Sequence, residues 1–140
     1  MVDGTDLLGY WSAEHGFHTA MEDECVMFRS DGTGWYEYAR PWYSQFTLFR
    51  WRLLGDGRVR IEAHEEVELD EWEGRAKVEY RSIASTADVD YSITMTQRPL
   101  LDLPVPELTI GLSFTLGAPF AFVQLDEPTG ERHRKARLHP

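Results

Sequence analysis

The side chains suited to binding or reaction fall into four groups. Rings crowd the first half of the chain: Trp11, Phe28, Trp35, Tyr36, Tyr38, Trp42, Tyr43, Phe46, Phe49 and Trp51. Aromatic side chains bury large area with few rotors, and Tyr and Trp keep one polar handle that orients a ligand. Along one extended segment Trp35 and Glu37 alternate with Tyr36 and Tyr38, so both faces carry rings. One face must then meet solvent, a ligand or another protein. Trp35, Tyr36, Tyr38 and Trp51, joined by Tyr80 and Tyr91 further on, are the candidate lining of a ligand site. For any single ring, ordinary core packing is the plainer reading.

The second group is Glu14-His15-Gly16-Phe17-His18 followed by Glu22-Asp23-Glu24-Cys25. These are metal-ligating types, but their spacing fits no structural zinc pattern, so a solvated loop and no metal are expected. The third is the acidic stretch 62–73, with Glu62, Glu65, Glu66, Glu68, Asp70, Glu71 and Glu73 beside His64. Neighbouring carboxylates raise one another's pKa and can supply a general base. A solvated strand edge is the plainer reading, and a docking patch for a basic partner is the other alternative. The fourth comprises Tyr80, Ser82, Tyr91 and Gln124, polar residues among apolar neighbours that need partners, from the core or from a ligand. No phosphate-binding loop, nucleophile elbow or dinucleotide fingerprint is present, and Cys25 has no identifiable base. Hydrolase, kinase and dehydrogenase chemistry therefore have no support, and no cofactor is expected.

The elements that must position these groups read as strands almost throughout, with period-two alternation broken at short intervals by Gly, Asp and Pro. The pattern predicts strands over Leu7–Ser12, Cys25–Arg29, Trp35–Ala39, Tyr43–Leu54 and Arg58–Val67, then Arg75–Ile83, Asp88–Gln97, Leu108–Phe114 and Phe120–Leu125. Asp31-Gly32, Gly55-Asp56-Gly57 and Glu73-Gly74 mark turns, and Ser85-Thr86-Ala87 is read as a break. Leu103-Pro104-Val105-Pro106 is excluded as a central strand because proline lacks a ladder donor. Sequential hairpins favour a closed all-β, antiparallel up-and-down barrel of eight or nine strands, with Ala13–Glu24 as a polar loop after the first. Such a barrel holds side chains or one small ligand.

The chain has 140 residues, one domain's worth, with 42% hydrophobic and 27% charged residues, enough to form a core. Residues 1–130 are read as the barrel domain and 131–140 as a polar, basic tail. A net charge of −10 argues against nucleic acid and anionic membrane as partners. One cysteine excludes an internal disulfide, and neither a signal peptide nor a bilayer-spanning stretch is visible, so a cytoplasmic protein is expected.

Three segments resemble the calycin superfamily, the bacterial lipocalin-like small β-barrels. Gly9-Tyr10-Trp11 is similar to the Gly-x-Trp that opens such barrels. Val26-Met27-Phe28-Arg29-Ser30-Asp31-Gly32-Thr33-Gly34 resembles their apolar–Phe–x–x–Asp-Gly-x-Gly hairpin, and Phe49-Arg50-Trp51 with Gly55-Asp56-Gly57 a later one. A Cys pair and a C-terminal helix, usual in the family, are not evident. The resemblance implies an apolar small-molecule ligand and makes Ala13–Glu24 a lid-like loop over the open end, in a group that also holds enzymes and filled barrels.

Three functions follow as expectations. The first is a barrel enclosing a hydrophobic or polycyclic small molecule, including a cofactor-independent cyclase or isomerase of a polyketide-like intermediate that works by shape and positioning. The second is an acidic interaction protein of the immunity or inhibitor type, docking a basic protein. The third is a filled barrel acting as a scaffold, with a homodimer among the partners considered.

Overall fold

The computed structural model describes residues 5–18 and 21–128, so the predicted tail over 131–140 lies outside the described residues. A 3-10 turn at Thr5–Leu7 precedes eight strands: β1 Gly9–Ser12, β2 Asp23–Phe28, β3 Thr33–Arg40, β4 Tyr43–Gly55, β5 Arg58–Trp72, β6 Arg75–Thr96, β7 Val105–Ile110 and β8 Phe120–Gln124. Each pairs antiparallel with its chain neighbour, and β8 pairs with β1, closing the ring in sequence order. The expected up-and-down barrel is therefore the fold, with eight strands. Among the described residues no helix is long and apolar enough to cross a membrane.

The ninth predicted strand disappears because Ser85-Thr86-Ala87 does not interrupt β6. Those residues pair with Ala63, Glu62 and Ile61, and their small or β-branched side chains suit a pleated strand. β7 also begins earlier than predicted, taking in Val105 and Pro106, which lie opposite Thr96 and Met95. Pro106 is tolerated there because β8 pairs with β7 only at Glu107 and Leu108. The predicted end of that strand, Leu112–Phe114, instead leaves the sheet, and Leu112 and Phe114 pack against the interior cluster.

A one-residue bulge divides the barrel's face pattern. On β5, Ala63 lies opposite Phe49 and Glu65 opposite Leu48, so His64 is skipped and the strand changes face. Val59, Ile61 and Ala63 therefore pack inside, whereas Val67 belongs to a second cluster on the outer face. Gly34 fits this geometry: a Cβ there would stand 2.6 Å from the Phe49 ring on the paired strand. Past the bulge the β5–β6 hairpin, with β5 still paired to β4 through Asp70, forms an arm of the sheet with one open edge. From Arg75 to Asp90, β6 pairs with β5 alone among the described strands, and Lys77, Glu79, Arg81 and Asp88 occupy that edge. Charged side chains on an edge strand discourage pairing with further strands.

Candidate functional site

The barrel interior is the first place to seek a ligand, and rings crowd it. Trp11, Phe28, Tyr36, Phe49 and Phe120 are buried there, with Trp51, Phe114 and Phe122 packed against them. Phe28 meets Phe49 at 5.5 Å and Trp51 edge-on at 5.4 Å between ring centres, and Trp11 meets Phe122 at 5.3 Å. These are ordinary aromatic packing distances. Of the six predicted lining residues, Tyr36, Tyr38, Trp51 and Tyr91 converge on this cluster. Trp35 does not: it belongs to the outer cluster with Cys25, Met27, Phe46 and Val67. Tyr80 does not either, being 42% exposed on the arm. Alternation on β3 separates Trp35 from Tyr36, and the bulge in β5 carries the surrounding arm face outward.

Polar groups tie the plug and loops to the ring. Tyr36 Oη donates to Glu24 Oε1 at 2.6 Å, and the backbone N–H of Leu116 donates to the same oxygen at 2.7 Å. Burial and the adjacent carboxylate push the Tyr36 phenol well above its ordinary range. Glu24 thus anchors the 111–119 connection, whose Phe114 ring lies 5.3 Å from Tyr36. The lid-like loop is pinned as well. Arg98, 1% exposed, donates to the carbonyls of Ala13 at 2.6 Å, His15 at 2.9 Å and Pro119 at 3.2 Å, and pairs with Glu107 at 3.0 Å. Ser12 Oγ donates to Asp23 at 2.8 Å, closing the base of the same loop.

Cys25 is unsuited to nucleophilic work. Burial and then the Asp23 charge push its thiol up, and it accepts a hydrogen bond from Tyr10 Oη at 3.0 Å. Among the described residues no group of three or more His, Cys, Asp or Glu side chains is placed to hold a metal ion.

Three hollows formed by described residues lie outside the ring. A groove of about 600 Å³ runs between two hairpin tips and is lined by Trp42, Glu71, Trp72, Glu73, Gly74, Arg75 and Ala76. Trp42 is 74% exposed and Trp72 70% exposed. The two tips are joined where Glu71 N donates to Trp42 O at 2.7 Å. Further along the arm, a hollow of about 410 Å³ is lined by Gln45, Glu66, Glu68, Glu79, Tyr80 and Arg81. Arg81 pairs with Glu66, and Lys77 with Glu79 at 2.8 Å, both in water-exposed settings. A third hollow of about 360 Å³ includes Tyr10, Glu14, His15, Phe17, Glu22 and Asp23.

Glu24, Arg98 and Trp72 were not among the predicted site residues. Trp72 had a readable signal, a lone indole in an acidic run just before Glu73-Gly74. Arg98 and Glu24 had none, because the carbonyls of Ala13 and His15 and the N–H of Leu116 reach them from far along the chain. Comparison of the chain with protein-family models, with curated proteins and with solved structures found no match in any of the three.

Proposed function

We propose that this chain is a cytoplasmic, acidic binding protein whose working surface is the outside of the barrel and whose partner is a cationic protein. One observation carries this reading: the barrel encloses its own rings, while two tryptophans stand in solvent beside carboxylates on the arm. Exposed indoles cost solvation, and Trp is enriched where interfaces concentrate their energy. The net charge of −10 supplies long-range attraction for a basic partner. The ring of eight antiparallel strands is consistent with the calycin resemblance, and kinship with those barrels is part of the proposal.

The test uses hexalysine and hexa-arginine peptides as surrogates, titrated calorimetrically at rising salt. Binding is expected near 10 mM salt, where screening reaches about 30 Å, and is expected to fall at least tenfold by about 300 mM. Glu68→Lys and Asp70→Lys together should weaken it. Absence of binding to either peptide at low salt rules the reading out.

A second reading keeps the interior as the site, favoured by the Glu24 anchor. Leu112 and Phe114 enter the ring from a connection held at Leu116, and release of that bond would bare Tyr36, in the cluster that Tyr38, Trp51 and Tyr91 also join. The guest would then be a hydrophobic or polycyclic molecule, cyclised or isomerised by positioning. Tryptophan fluorescence titrated with polycyclic compounds tests it; no shift at micromolar ligand counts against it.

A further inference from the structure

The four described tight turns between paired strands differ in what occupies their left-handed positions. In the β2–β3 turn Gly32 has φ +86, and in the β4–β5 turn Gly57 has φ +70, both glycines. The β3–β4 and β5–β6 turns break this pattern. Arg40 pairs with Tyr43, leaving Pro41-Trp42 as the loop, and Trp42 has φ +62. Proline followed by a positive φ is a type II arrangement, which ordinarily takes Gly at the second position. Trp72 pairs with Arg75, leaving Glu73 at φ +49 and Gly74 at φ +75. Two positive φ values make a type I′ turn, which ordinarily takes Asn or Asp first. Trp42 and Glu73 are the positive-φ residues other than glycine among the described residues, and both line the same groove.

Left-handed backbone disfavours a side chain with a Cβ, and retained strain of this kind gathers at functional sites. An indole in that conformation and 74% exposed contributes little packing in return. The ring and the carboxylate therefore answer to something outside the chain. Its chemistry is set by the lining: the indoles of Trp42 and Trp72, acid groups at Glu71 and Glu73 and one cation at Arg75, with Asp70 next along the strand, so acid groups outnumber the cation. A planar cation satisfies both kinds of surface, because guanidinium stacks on a ring while its edge N–H groups reach carboxylate. The protein already uses this pairing internally, with Arg40 4.8 Å from the Tyr43 ring centre and Arg98 4.6 Å from that of Phe17.

We propose that the groove between Trp42 and Trp72 is a clamp for an arginine side chain of the cationic partner, with the guanidinium stacked on indole and paired with Glu73. This rests on the cationic-partner reading and names the contact that gives it selectivity. Lysine, a strongly hydrated point charge, uses the acid groups but gains less from the rings.

The experiment compares hexa-arginine and hexalysine binding to wild type, Trp42→Gly, Trp72→Ala and Glu73→Asn, with melting curves for each. Wild type should bind hexa-arginine at least fivefold more tightly than hexalysine. Trp42→Gly and Trp72→Ala should each erase that preference, and Glu73→Asn should weaken hexa-arginine. Trp42→Gly and Glu73→Asn should nonetheless melt at or above wild type, by up to about 4 °C, since both relieve the backbone. Those melting points exclude a merely structural role for the two side chains. Equal binding of both peptides, unchanged by Trp42→Gly, overturns the clamp and leaves the cationic-partner reading standing. Failure of both peptides at low salt overturns that reading as well. Tighter binding of cellohexaose, or a dimer in sedimentation that Trp42→Gly abolishes, overturns the clamp in favour of a sugar or a second copy.

Discussion

Arg98 is the buried cation on which three segments converge: the loop after β1, the entry to β8, and Glu107 of β7. Removing one member of a buried pair leaves its partner charged and dry. Arg98→Met should therefore destabilise the fold by about 3–5 kcal/mol, read from the urea midpoint. Nothing in Arg98-Pro99 announces this role, because the carbonyls of Ala13 and His15 are brought to it only when the ring closes. Burial dominates at Tyr10, Cys25 and Tyr36 too, raising all three above their ordinary ranges. Each is neutral when protonated and folds in that form. Its contribution is whole below the unfolded pKa and is lost as pH climbs beyond it, because the unfolded chain ionises first. Stability should hold near neutrality and fall from about pH 9 upward, beginning where free thiols ionise. Chemical-denaturation midpoints across that range check it, and native Cys25 should react with a disulfide reagent far more slowly than the unfolded chain.

Among the elements, the connection between β7 and β8 decides whether the barrel is full. Phe114 touches Tyr36 at 5.3 Å and Phe49 at 6.4 Å between ring centres, against a cluster built mainly by strands. Phe114→Ala should cost about 3–5 kcal/mol and leave an apolar void, detected as binding of a small hydrocarbon to the variant and not to wild type. Alternation revealed most of the strands, since Val59, Ile61 and Ala63, like Phe49, Trp51 and Leu53, lie on the inner face as their spacing demands. It failed beyond His64. The odd-numbered series runs on through Val67, yet the bulge carries that residue outside, and a period-two pattern holds no mark of one skipped residue. The six predicted ring residues are divided for two reasons: plain alternation already sets Trp35 on the face opposite Tyr36, and Tyr80 lies opposite Val67, past the bulge.

For the whole molecule, charge and packing point the same way. Fifteen buried side chains and their ring neighbours pack in the interior, and the hollows along the hairpins lie on the surface, among acidic side chains. The acidic stretch is plain in the sequence; the groove beside it is not, because Trp42 and Trp72 meet only when two hairpin tips are brought together. The most direct measurement follows the indole N–H resonances of Trp11, Trp35, Trp42, Trp51 and Trp72 in a proton–nitrogen correlation spectrum during titration with hexa-arginine. The account predicts that Trp42 and Trp72 move first and furthest, in step with backbone amides of Glu71 to Arg75, while Trp11 and Trp51 stay in place. Movement led by Trp11 and Trp51, with Trp42 and Trp72 unmoved, would place the ligand inside the barrel and contradict it.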